Sequence, residues 1–136
     1  YRRFMVRITE VLAKRMGAKA IVTGESCGQV SSQTLENIAA VDQVAGMPIL
    51  RPLIGANKEE IINVAKALGT FPVSIQPDQD CCTLFVPKHP VIRADAAMVA
   101  KLESTLSADE LVQQAVENTQ VKNFSFAGML TAAAAG

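Results

Sequence analysis

Hydrophobic and polar residues in the first part of the chain follow a helical period and then a strand-like run. The apolar positions of the first segment share one helical face: Phe4, Ile8, Val11 and Leu12. This spacing predicts a helix over about residues 2 to 16 that stops at Gly17. The β-branched run from Ala20 to Thr23 predicts a buried strand that ends at Gly24.

The same alternation continues in the next segments. Paired serines suited to N-capping precede a second run with helical spacing, which predicts a helix that ends at Gly46. The segment "MPILRPL" predicts a second short strand. The segment "ANKEEIINVAKALG" predicts a third helix, in which Asn57 and Glu60 form a capping box and Gly69 follows the last turn.

The segment "TFPVSI" predicts a third strand, so the order of elements becomes α-β-α-β-α-β. This order is typical of an α/β fold, with a parallel sheet, helices on its faces and right-handed crossovers. Two more helices are predicted at Ala96 to Leu106 and at Ser107 to Val116. In the second of these, Ser107 and Glu110 have the spacing of a capping box.

The composition favours a packed protein, because 49% of the 136 residues are hydrophobic and 19% are charged. Thirteen basic residues balance thirteen acidic ones, so no overall field favours nucleic acid or an anionic membrane. No stretch reaches the roughly 18 apolar residues of a membrane span, and the first residues lack the apolar region of a signal peptide. We therefore expect a cytoplasmic protein with no membrane partner.

The loop "TGESCGQVSSQ" follows the first predicted strand, at the sheet edge where open α/β proteins bind ligands. Gly24 and Gly28 allow a ligand to approach the backbone, and Gln33 and the serines add hydrogen-bonding groups. The spacing is neither that of a dinucleotide-binding motif nor that of a Walker motif. From these residues alone, nucleotide contact and an ordinary turn between strand and helix both stay open.

Two of the three cysteines, Cys81 and Cys82, are adjacent. Their Cα atoms lie about 3.8 Å apart, too close for an ordinary disulfide. Lys88 and His89 could lower the pKa of an exposed thiol, whereas burial as a small apolar side chain is the alternative. In an extended segment neighbouring side chains point to opposite faces, so one thiol should face away from the core. A zinc site is disfavoured, because these residues do not provide four ligands at the usual spacing.

Four segments resemble, in order, the carboxyl part of the tRNA 4-thiouridine synthetase family, which is also linked to thiazole formation for thiamine: "RRFMVRI", "AIVTGESCGQVSSQTLENI", "PILRPLIGANKEEIINVAKALGT" and "DCCTLFVPKHP". The resemblance implies a Rossmann-like nucleotide-binding domain of the PP-loop ATPase type. In the family a ferredoxin-like and THUMP region that binds tRNA precedes this domain. Residues 1–130 would be the carboxyl part of the ATPase domain, and 131–136 an uninformative tail.

The resemblance also implies an enzymatic reaction. ATP, accompanied by Mg²⁺, adenylates O4 of a uridine in tRNA, and a cysteine persulfide loaded by a cysteine desulfurase delivers sulfur to C4. The family's ATP contacts carry over to Arg2, Gly24 and Gln33. The persulfide carries over to Cys82, with Cys81 as its neighbour or as a resolving thiol.

One family motif, the Ser-Gly-Gly-x-Asp-Ser phosphate loop, is absent from the sequence. In relatives this loop precedes the region that matches the present chain. We therefore expect a partial ATPase domain that does not thiolate tRNA alone. A non-catalytic adenine-nucleotide-binding module and a PP-loop ATPase with another substrate are the alternative functions. The oligomeric state is left open, with a homodimer as one option.

Overall fold

The computed structural model describes residues 1–77 and 89–123, which contain six α-helices and two β-strands. The helices are α1 (Arg2–Arg15), α2 (Leu35–Asp42), α3 (Lys58–Ala67), α4 (Phe71–Ser74), α5 (Ala96–Glu103) and α6 (Ala108–Glu117). The strands are β1 (Ile21–Val22) and β2 (Ile49–Leu50), and a 3₁₀ turn covers Ser31–Gln33. The predicted α/β class is confirmed.

The two strands form a parallel sheet, in which Ile21 pairs with Ile49 and Val22 pairs with Leu50. Their connection contains α2, as the alternating pattern predicts. Beyond the last strand pair, the Thr23 N–H donates to the carbonyl of Leu50 at 3.0 Å. The polar segment that follows β1 therefore starts from a point fixed on β2.

A small hydrophobic core lies between α1, the sheet and α2. It consists of Val6, Ile21 and Val41, which are buried against one another. Four partly buried residues pack around it: Val44, Ala45, Met47 and Ile49. Burying an aliphatic side chain of this size contributes about 1.5–3 kcal/mol. Since these residues come from three different elements, the core holds the βαβ unit together.

The most buried side of α1 differs from the predicted apolar face. Its buried residues are Arg3, Val6, Glu10 and Ala13, whereas the predicted set, Phe4, Ile8, Val11 and Leu12, is only partly buried. Two charged residues thus occupy the most buried side, and each has oppositely charged or hydrogen-bonding partners there. Pairing offsets the cost of removing such groups from water.

Two helix ends agree with the sequence. Gly17 and Gly69 follow α1 and α3 with φ of 72° and 71°, the left-handed conformation that glycine adopts readily. The predicted capping box of α3 is also confirmed. The Asn57 side chain accepts from the Glu60 N–H at 3.0 Å, and Glu60 Oε2 accepts from the Asn57 N–H at 2.7 Å.

The predicted ends of α2 were wrong. The N-cap is Thr34, whose Oγ1 accepts from the Asn37 N–H at 3.2 Å, while the paired serines belong to the preceding 3₁₀ turn. The helix ends at Asp42, before Gly46. The Gly46 N–H donates to Glu10 Oε2 at 2.6 Å, and a Cβ at this position would lie 2.6 Å from Glu10 Oε1. A side chain at position 46 would make the Glu10 carboxylate shift, so this glycine serves the close approach of Glu10 and does not end the helix.

The segment predicted as a third strand is instead the single-turn helix α4. Pro72 lies in its first turn, where proline is favoured because no N–H is required. The ammonium of Lys66 in α3 lies 5.3 Å from the centre of the Phe71 ring. These local contacts favour a helical turn over the extended backbone that the β-branched residues suggested.

The capping box predicted for α6 was also wrong. This helix begins at Ala108, and no side-chain hydrogen bond from Ser107 caps it. Ser107 has ψ of 70°, outside the extended conformation of a typical N-cap residue. Of the helices in the described ranges, none is long and apolar enough to cross a membrane.

Candidate functional site

The segment from Thr23 to Gln33, here called the β1 loop, lies at the carboxyl edge of the sheet. Two hydrogen bonds tie it to the segment after β2. The Cys27 N–H donates to the carbonyl of Ile54 at 2.9 Å, and Ser26 Oγ donates to the carbonyl of Ala56 at 2.6 Å. Loops at this edge form the ligand sites of open α/β sheets, so the β1 loop is the candidate site.

Gly24 and Gln33 lie near the two ends of the β1 loop. Gly24 is exposed, and no heavy atom lies within 4 Å of the place that a Cβ would take. The carbonyl of Gln33 accepts from the Gly28 N–H at 2.9 Å, and its Oε1 accepts from the Ser26 N–H at 3.4 Å. Gly28 adopts a φ of 75°, so a glycine is required for this turn. The loop is thus closed by hydrogen bonds and leaves space beside Gly24.

Arg2, the first residue of α1, reaches the same loop. Its guanidinium donates to the carboxylate of Glu25 and to the carbonyl of Ser32. Its side chain is 30% exposed. Because Glu25 follows Gly24 and Ser32 precedes Gln33, the three residues predicted as nucleotide contacts come together around one loop.

Glu25 is the centre of charge in the β1 loop, although no sequence motif marks it. The residue is only 6% exposed. Its carboxylate accepts hydrogen bonds from Arg2, from Arg51 Nε at 2.7 Å and from Thr23 Oγ1 at 3.0 Å. The available sequence signal was an acidic residue directly after a strand-ending glycine. Nothing local indicated its partners.

Arg51 directly follows β2 and joins Glu25 to the end of α2. Nη1 donates to Asp42 Oδ2 at 3.1 Å, and Nη2 donates to the other oxygen of this carboxylate. The Arg51 side chain is 12% exposed. We call the connected charges of Arg2, Glu25, Arg51 and Asp42 the loop ion cluster. Two cations and two carboxylates balance one another in it, which offsets the cost of burying charge.

A second group of buried charges lies away from the β1 loop. Glu103 of α5 accepts hydrogen bonds from Arg3 at 2.6 Å and from Arg7 at 3.2 Å. Burial raises the pKa of this carboxyl, but the hydrogen bonds and charges of the two arginines outweigh burial and lower it overall. This group connects α1 to α5 and has a structural role.

The predicted sulfur carriers Cys81 and Cys82 lie outside the described residues, as does Lys88. His89 is described and is exposed, as is the free thiol of Cys27 in the β1 loop. Within residues 1–77 and 89–123, no group of three or more histidine, cysteine, aspartate or glutamate side chains could hold a metal ion.

A parallel βαβ unit with a polar loop at its carboxyl edge defines an α/β protein. Residues 1–108 match the family described as thiamine biosynthesis protein (ThiI). The chain belongs to this family, and the family predicted from sequence resemblance is confirmed.

Curated relatives and a solved structure agree with this assignment. The chain is 50% identical over 128 residues to a probable tRNA sulfurtransferase of Thermus thermophilus, covering 94% of this chain and 32% of that protein. It is 48% identical over 120 residues to a probable tRNA sulfurtransferase of Acetivibrio thermocellus, covering 88% and 31%.

The solved structure is the crystal structure of a 4-thiouridine synthetase–RNA complex with bound ATP. It matches with a TM-score of 0.83 and 43% identity, over 90% of this chain and 32% of that one. The present chain thus spans 32% of the length of the first of these relatives and of the solved structure.

Proposed function

We propose that this chain acts within an ATP-dependent tRNA sulfurtransferase that forms 4-thiouridine. Family membership and the similarity to a synthetase crystallised with RNA and ATP support this function. The main structural support for this function is the contact of Arg2 with the β1 loop. This loop also contains Gly24 and Gln33, the other two expected nucleotide-binding residues.

The residues of the β1 loop suit an adenine nucleotide. Arg2 provides a planar donor fork for a phosphate, and the open space beside Gly24 lets a ligand approach the backbone. The Gln33 amide can both donate to and accept from a base. In the proposed reaction the uridine O4 bonds to the α-phosphorus of ATP and pyrophosphate leaves, so that O4 can later depart as part of AMP. Mg²⁺ would accompany the ATP as its counterion.

The proposed sulfur carrier is Cys82, with Cys81 as a neighbour or resolving thiol. A cysteine desulfurase would load the persulfide, whose terminal sulfur bonds to C4 of the uridine as AMP leaves, which gives a disulfide between the carrier cysteine and the uridine. A second thiol would then attack the carrier sulfur, so that the S–S bond to the uridine breaks, the two thiols become a disulfide and 4-thiouridine is released. A thiol with this role needs a low pKa and access to its partners. The adjacent position of the two cysteines in the sequence supports the proposal.

The nucleotide site is tested by Gln33→Ala in the complete protein. We expect ATP to bind about tenfold more weakly, because a hydrogen bond to the base is lost. The measurement is the ATP dissociation constant from calorimetric titration. Gln29→Ala is the matched control, since Gln29 is an exposed glutamine of the same loop. Equal affinities of the wild type and Gln33→Ala would contradict the assigned contact.

The sulfur carrier is tested by Cys82→Ser in the complete protein. We expect loss of 4-thiouridine formation with unchanged ATP binding, because serine cannot form a persulfide. Nucleoside analysis of the tRNA product measures 4-thiouridine formation, and calorimetric titration measures ATP binding. Cys81→Ser, made in parallel, separates the two thiols. Full activity of Cys82→Ser would exclude Cys82 as the carrier.

A further inference from the structure

We propose that Glu25 is a positioning residue, which orients Arg2 towards the nucleotide and is itself held by Arg51. The inference rests on the proposed function, because it takes the β1 loop to bind ATP. It adds two residues, Glu25 and Arg51, to those expected to determine nucleotide affinity.

The position of Glu25 supports this role. It follows Gly24 at the carboxyl end of β1, and its side chain is only 8% exposed. Each carboxylate oxygen has a different arginine partner, with Arg2 on Oε1 and Arg51 on Oε2. A buried carboxylate held in this way has little freedom to change its orientation. Arg2 is thereby held in a direction set by the sheet edge.

The two arginines differ in exposure, and the difference separates their roles. The Arg51 side chain is 12% exposed and is held on its other side by Asp42. The Arg2 side chain is 30% exposed and lies next to the β1 loop. Arg51 therefore anchors Glu25 from the interior, while Arg2 is the more exposed of its two arginine partners. The guanidinium of Arg2 offers the planar donor geometry that suits a nucleotide phosphate.

The first test is Glu25→Gln in the complete protein. Glutamine keeps the shape and one acceptor but removes the charge that holds Arg2. We expect the ATP dissociation constant to rise about tenfold, since a charge-assisted hydrogen bond is weakened. The control is Glu103→Gln, because Glu103 is also a buried glutamate with two arginine partners but lies away from the loop. It should lower stability and leave ATP affinity unchanged.

A double-mutant cycle separates positioning from general destabilisation. If Glu25 acts through Arg2, Glu25→Gln should have a much smaller effect on ATP affinity in the Arg2→Gln background, in which the cation held by Glu25 is absent. The same effect in both backgrounds would overturn the proposal. Failure of the wild type to bind ATP would instead contradict the proposed function. Wild-type binding with an unchanged dissociation constant for Glu25→Gln would overturn the positioning role alone.

Arg51→Lys covers the case in which Glu25→Gln does not fold. Lysine keeps the positive charge but cannot bond to both Glu25 and Asp42 in the planar geometry of arginine. We expect weaker ATP binding by a folded Arg51→Lys protein. An unchanged dissociation constant for this variant would also overturn the proposal.

Discussion

Glu103 illustrates how single charged residues stabilise this structure. Its side chain is 10% exposed and accepts hydrogen bonds from two arginines of α1, Arg3 and Arg7. The Arg3 side chain is itself 9% exposed and also donates to the carbonyl of Ala40 at 2.8 Å. Removing one member of such a group leaves its partner charged and buried, which costs more than the pair contributes.

We therefore predict that Glu103→Ala lowers the free energy of unfolding by about 2 kcal/mol at neutral pH. Urea denaturation of the purified chain measures it. Glu36→Ala is the matched control, because Glu36 pairs with Arg93 at 3.8 Å in an exposed position. Its effect should stay within about 0.5 kcal/mol. Equal effects of the two substitutions on the free energy of unfolding would show that burial of Glu103 and its arginine partners adds nothing to stability.

At the scale of elements, the two capping sites of similar sequence differ in the structure. Asn57 and Glu60 form both hydrogen bonds of a capping box at the start of α3, whereas Ser107 makes no capping bond to α6. Both sites have the same spacing of a small polar residue and a glutamate. The difference lies in the backbone conformation of the residue before the helix.

We predict that Asn57→Ala lowers the stability of the chain by about 1 kcal/mol, because α3 loses its N-cap. Ser107→Ala should change it little, since no capping bond is lost. Thermal unfolding followed by circular dichroism compares both variants with the wild type. A larger loss for Ser107→Ala than for Asn57→Ala would contradict the assigned caps.

The elements that could be predicted are those determined by nearby residues. The ends of α1 and α3 and the parallel pair of strands follow from glycines, caps and β-branched runs. The third predicted strand failed because a proline and a cation–π contact favour α4. The loop ion cluster could not be predicted, since Arg51 and Glu25 are 26 positions apart and meet only when the strands pair.

At the scale of the whole molecule, carboxylates connect α1 to distant parts of the chain. Glu103 links it to α5, and Glu10 accepts from Lys14 and from the Gly46 N–H between α2 and β2. The hydrogen bonds from Lys14 and Gly46 lower the pKa of Glu10, against an opposing effect of burial. Acid should therefore weaken the packing of α1 at two places together.

We predict a loss of stability in acid from these two groups. A carboxyl whose pKa is lowered in the folded state stabilises the fold above the ordinary pKa of a glutamate, and this contribution disappears as the pH falls through the lowered, folded-state pKa. The free energy of unfolding should thus decrease as the pH falls below the ordinary pKa of a glutamate. Urea denaturation at a series of pH values measures how steeply this free energy changes with pH, and the change should be less steep in Glu103→Gln. An unchanged slope in that variant would contradict the assignment.

Adjacent arginines at the start of α1 serve different partners, with Arg2 on Glu25 and Arg3 on Glu103. Consecutive residues of a helix point about 100° apart, which allows one turn to reach both. The number of residues in the first turn of α1 therefore matters more than the identity of the residues between its contacts. Substitution of the exposed Met5 should be tolerated, whereas insertion of one residue after Arg3 would rotate both guanidinium groups away from the rest of the helix.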